Sequence, residues 1–170
     1  MAKRGQPVHG WVVLDKPLGM SSTQAVGQVR WLFQAQKAGH GGTLDPLATG
    51  LLPIALGEAT KTVPFAMDGR KIYQFEVTWG AERSTDDLEG AIVAESLLQP
   101  IVNDIESILS ELTGSISQLP PAFSALKVDG QRAYDLARAG EVVELAPRTV
   151  EIESLKLLEM RETNRSLFEV

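Results

Sequence analysis

Tyr73-Gln74-Phe75-Glu76-Val77-Thr78-Trp79 is the clearest strand in the chain. Apolar and polar side chains alternate through it with a period of two. That puts Tyr73, Phe75, Val77 and Trp79 on one face and Gln74, Glu76 and Thr78 on the other. Shorter strands and helices surround it in no regular order. Upstream, Trp11-Val12-Val13-Leu14 reads as a strand ending in the turn Asp15-Lys16-Pro17-Leu18-Gly19. Ser21 and Gln24 form a capping box for a helix with Val26, Val29 and Phe33 on one side, expected to end near Gln36. Residues 37–50 read as a loop, Leu51 to Leu56 as a buried apolar segment, and Glu58 to Met67 as a helix that Pro64 kinks or delays.

Downstream, Gly80 to Gly90 reads as a polar loop and Ala91-Ile92-Val93-Ala94 as a strand. Ile105, Ile108, Leu109 and Leu112 mark a helix closed by Gly114. Ser115 to Gln118 is a strand stopped by Leu119-Pro120-Pro121. Ser124 to Val128 followed by Asp129-Gly130 gives a strand and a tight turn. A short helix is expected over Gln131 to Ala139, a long strand over Arg148 to Met160, then a turn at 162–165 and a return strand to Val170. Irregular interleaving with several hairpin signals argues an α+β fold: a mixed, mainly antiparallel sheet with flanking helices.

The chemistry concentrates in His40-Gly41-Gly42-Thr43-Leu44-Asp45-Pro46-Leu47-Ala48-Thr49-Gly50. The glycines here, with Gly39, permit close backbone approach or positive φ. Pro46 pushes Asp45 toward an extended conformation. Thr43 is placed to hydrogen-bond locally and fix the turn. One carboxylate is thereby presented on stiff backbone, which suits a nucleophile or a general acid/base. An Asp-Pro step is also an ordinary turn dipeptide. Asp45 has no carboxylate nearby in sequence, so a two-acid glycosidase pair is not indicated. Gly57-Glu58-Ala59-Thr60-Lys61-Thr62 is not a phosphate loop, because Thr60 stands where a glycine must precede the lysine.

Composition narrows the chemistry further. The 170 residues contain no cysteine and only two histidines, His9 and His40, which are not at ligand spacing. Disulfides and thiolate metal sites are thus excluded, and neither a metal nor a nucleotide cofactor is expected. No apolar run approaches the roughly 18 residues of a membrane span, and the expected setting is cytoplasmic. Net charge is −6, but residues 1–80 carry eight Lys/Arg against five Asp/Glu. The half holding Asp45 is therefore basic, which permits a phosphate-contacting face. Tyr73 is either core packing or a stacking platform for a splayed base. His40 is either a loop histidine without a role or a side chain that stacks on or wedges into RNA.

His40 to Lys61, including Gly57-Glu58-Ala59-Thr60-Lys61, closely resembles the catalytic motif of the TruB-type tRNA pseudouridine-55 synthases. Lys16-Pro17-x-Gly19-x-Ser21-Ser22 resembles the family's first motif, which implies that this segment, Lys16 and Pro17 included, buttresses the active-site loop. Lys71-x-Tyr73 resembles the segment carrying the active-site tyrosine, and Thr85-x-Asp87-x-x-Gly90 the loop after it. Pro120-Pro121-x-Phe123-Ser124-Ala125-Leu126-Lys127 with Gly130, Tyr134 and Gly140 resembles the next block.

The resemblance implies a pseudouridine synthase-like fold and isomerisation of uridine-55 in the T-loop of tRNA without a cofactor. It implies Asp45 as nucleophile, Tyr73 stacking on the flipped uracil and His40 holding the splayed loop. The implied partner is tRNA, with no membrane and no obligate protein partner. In the family an arginine-bearing strand, a leucine motif and a PUA domain follow. Residues 1–170 are accordingly expected to be the N-terminal portion of the catalytic domain, cut within a strand. The alternative is a catalytically silent RNA-binding fragment.

Overall fold

The structure is a computed structural model and describes residues 5–121, 127–128, 131–133, 145–162 and 164–170. These gather into two compact units, Met1–Lys71 and Ile72–Val170. Among the described residues every ladder between the strands is antiparallel, and the strands divide among five small sheets.

In the first unit, β1 (Gly10–Lys16), β2 (Ala38–His40) and β3 (Gly50–Leu56) form one sheet with β3 in the centre. Helix α1 (Ser22–Leu32) supplies Ala25 and Val29 to a core with Ala35, Leu52, Ile54 and Leu56. The apolar run is therefore a central strand with one outward residue, Leu51, left exposed. The capping box of α1 forms as expected: Ser21 Oγ accepts from Gln24 N–H and Gln24 Oε1 from Ser21 N–H. The helix nevertheless stops at Leu32, short of Gln36. Gln34 takes φ 48°, Gln34 N–H donates to the Trp31 carbonyl and Ala35 N–H to that of Arg30. That is a Schellman closure with glutamine where glycine is usual. After β3 a 3-10 turn (Gly57–Thr62) precedes α2 (Val63–Met67), so Pro64 marks a late start, in the first turn where its missing N–H costs nothing.

In the second unit, β4 (Gln74–Thr78) and β11 (Lys156–Arg161) flank β12 (Arg165–Glu169). Phe75 lies directly opposite Phe168, with ring centroids 5.3 Å apart and nearly parallel planes. Trp79 meets Phe168 edge-on and donates from Nε1 to Ser166 Oγ at 2.7 Å. The other face carries Glu76 between Arg161 and Arg165. The segment read as one polar loop contains β5 (Ala81–Arg83), paired with β6 (Ile92–Glu95). Helix α3 (Val102–Leu109) runs into a 3-10 turn, and Gly114, expected to cap it, opens β7 (Gly114–Gln118) with φ 80°.

The long strand expected over 148–160 is two strands in different sheets. β10 (Arg148–Ile152) pairs with β7, while β11 pairs with β12; Glu153, Ser154 and Leu155 separate them. β8 (Lys127–Val128) and β9 (Gln131–Arg132) pair with each other, so Gln131 and Arg132 are strand, not helix. Ala133 is helical and buried; the expected helix from Tyr134 on, with Phe123 to Leu126, Asp129, Gly130 and Gly140, lies outside the described residues.

Candidate active site

Asp45 sits in the first unit, in the connection between β2 and β3, with its side chain exposed. The expected loop is narrower than residues 37–50, because Ala38–His40 pairs with β3. Gly41 continues that ladder, donating its N–H to the Pro53 carbonyl at 2.8 Å. A Cβ on Gly41 would lie 3.1 Å from Ala66 Cβ and 3.5 Å from the Trp11 ring. Its glycine thus serves close packing against the protein itself.

The backbone around Asp45 is held at three successive carbonyls. Ser22 Oγ donates to the Leu44 carbonyl and accepts from Leu44 N–H, both at 2.9 Å. Ala48 N–H donates to the Asp45 carbonyl at 3.0 Å, and Gly19 N–H to the Pro46 carbonyl at 2.8 Å. The two peptide planes flanking the Asp45 Cα are therefore both fixed. Leu44 also packs its side chain on the core of the unit. The Asp45 carboxylate itself makes no hydrogen bond among the described residues, so the backbone alone aims it.

The segment that supplies two of these clamps is in turn held by Lys16. Lys16 is fully buried, and Nζ donates to the Pro17 carbonyl at 3.1 Å and to the Met20 carbonyl at 2.6 Å. An ammonium so placed closes the turn 17–20 around itself. Gly19 within that turn takes φ 80°, a conformation a side chain would strain. Lys16 and Pro17 thus lie in the support of the loop and not beside the carboxylate. Thr43 is exposed, and its hydroxyl has no partner among the described residues. The fixing expected of Thr43 comes from Ser22. The sequence names Ser22 only as the last residue of the motif expected to buttress this loop, and assigns it no contact of its own.

His40 ends β2 opposite Ile54. It is half-buried, and its Nδ1 is buried without a hydrogen-bond partner. Tyr73 belongs to the second unit. It extends the β4–β12 ladder by two backbone hydrogen bonds with Val170, each 2.9 Å, and its side chain is 47% exposed. A ring that open is not a core residue of its unit.

Four comparisons bear on this arrangement. Residues 30–170 match the family model for the TruB family pseudouridylate synthase N-terminal domain. The tRNA pseudouridine synthase B of Bartonella tribocorum is 62% identical over 168 residues, covering 99% of this chain and 52% of that protein. That of Brucella melitensis is 60% identical with the same two coverages. The chain thus spans about half the length of these relatives. Among solved structures, a Cbf5-Nop10-Gar1 complex matches with TM-score 0.67 and 29% identity, over 95% of this chain and 38% of that one. An α+β fold with antiparallel sheets, a clamped loop presenting one aspartate, and these matches give one conclusion: the chain belongs to the TruB family of pseudouridylate synthases.

Proposed function

We propose that this chain carries the reactive carboxylate of a tRNA pseudouridine synthase that isomerises uridine-55 in the T-loop of tRNA, with Asp45 as nucleophile. The observation that carries the reading is a solvent-facing aspartate whose flanking peptides are both clamped. Relatives carrying the name tRNA pseudouridine synthase B match 99% of the chain, which supports tRNA as the substrate.

In this isomerisation the bond from ribose C1′ to uracil N1 breaks and a bond from C1′ to C5 forms. The C5 proton leaves and N1 gains one, so atoms and electrons balance without a co-reactant. A carboxylate that attacks the base or the sugar is regenerated at the end, as an isomerisation requires. The target uridine has to leave its stack, which costs a few kcal/mol. Tyr73, open on one face of its strand, stacks on the flipped base, and stacking at roughly 1–3 kcal/mol per base offsets much of that cost. His40 holds the splayed loop. The reading needs no metal, cofactor, membrane or protein partner, and its setting is the cytoplasm.

Incubation of the full-length protein with an unmodified tRNA transcript, followed by mass-spectrometric mapping, tests it. Pseudouridine at position 55 is the expected product. Tight tRNA binding with no conversion would favour a silent RNA-binding protein instead.

A further inference from the structure

We infer that Ser22 is a positioning residue for Asp45; the inference rests on Asp45 being the nucleophile. Ser22 is 3% exposed, and its hydroxyl is not needed to cap α1, because Ser21 does that. A hydroxyl has one proton to give and two lone pairs with which to accept. Ser22 spends both capacities on one residue, Leu44, donating to its carbonyl and accepting from its N–H at 2.9 Å each. Those two groups belong to successive peptide units. The second unit ends in the nitrogen of Asp45, so the Ser22 hydroxyl sets the plane from which the Asp45 side chain departs.

No other side chain hydrogen-bonds to the backbone of residues 43–46 among the described residues, and the Asp45 carboxylate has no hydrogen-bond partner there. Its direction is therefore a property of the backbone, and Ser22 is the one side chain that grips that backbone. Displacement of a reacting group by about 1 Å costs on the order of a hundredfold in rate. Loss of the Ser22 clamp frees the plane before Asp45 while Gly19 and Ala48 still hold the two planes after it. The loop stays in place and the carboxylate loses its aim.

The test uses the full-length protein carrying Ser22→Ala, Ser22→Cys or Asp45→Asn, with kcat and KM on unmodified tRNA, tRNA binding, and the folded fraction. Cysteine fills the same space with a much weaker hydrogen-bonding group, so it gives the reading if the alanine variant does not fold. The expected result is kcat per folded molecule lowered about ten- to a hundredfold, with KM and tRNA binding within about twofold of wild type. A buried serine with a purely structural role would lower the folded fraction and leave kcat per folded molecule unchanged. Unchanged kcat in the Ser22 variants beside an inactive Asp45→Asn overturns the inference and spares the assignment of Asp45. An active Asp45→Asn overturns the assignment itself.

Discussion

Tyr73 has two separable parts, a ring and a hydroxyl, and its open position lets each be removed without opening a core. Tyr73→Phe keeps the ring and is expected to bind tRNA as wild type does. Tyr73→Ala is expected to weaken binding by about 1–3 kcal/mol, the range of one lost base stack, with little change in thermal stability because the ring is half exposed. A titration of both variants against tRNA checks this; equal binding by the two would remove the stacking role. At this scale the sequence singles residues out but does not say what each touches. Asp45 stands out by its company of glycines and proline. Lys16 counts among the eight basic groups of residues 1–80 as well as in the motif that resembles a loop support, and it is wholly buried against two carbonyls. Burial of a long cationic side chain depends on the turn that wraps it, and no local pattern encodes that.

Elements announced by their own side chains were legible. The period-two strand at 74–78, the Ser21/Gln24 capping box and the Pro64 helix start each carry their cause in one short segment. Elements ended by tertiary context were not. Gln34 closes α1 in a left-handed conformation without being glycine, because the closure lets Ala35 enter the core. The break at 153–155 has no glycine or proline; it exists because β10 and β11 join different sheets.

The loop after β5 offers a pH test at this scale. Partial burial of Asp87 pushes its pKa up, but hydrogen bonds from the Thr85 hydroxyl and the N–H groups of Glu89 and Gly90, with the charge of Arg83, outweigh that. The carboxyl is held below its ordinary value. A depressed pKa contributes stability above the unfolded value of about 3.9 and loses it as pH falls through the folded one. Asp87→Asn should therefore melt earlier than wild type at pH 7, and the gap should close below about pH 4. Melting curves across pH 3–7 check this, and a gap independent of pH would assign the loop's order to something other than the carboxylate.

At the scale of the whole molecule, net charge is −6 while residues 1–80 are basic. If that half meets the tRNA backbone, binding weakens steeply with salt, because each phosphate contact releases counterions. Replacing Lys61, Arg70 or Lys71 should lower the salt slope by at most about one each. Lys61 already pairs with Glu58, and Lys71 donates to the Met67 and Gly69 carbonyls, so each of these should fall short of that limit. Lys16→Met should leave the slope unchanged and cost about 1–3 kcal/mol of stability, because two carbonyls lose their donor. Binding isotherms at several salt concentrations, with thermal melts beside them, check both halves of this statement.

Asp45 is proposed to perform the covalent chemistry on uridine-55. The most direct measurement is single-turnover formation of pseudouridine at that position by the full-length protein, wild type against Asp45→Asn, with tRNA affinity measured on the same preparations. Asparagine keeps the size of the side chain and the clamped backbone but is neither charged nor a competent nucleophile. Unchanged tRNA affinity with no detectable pseudouridine is the expected result. Turnover above about a hundredth of wild type would contradict it, because loss of an essential catalytic group costs far more than that.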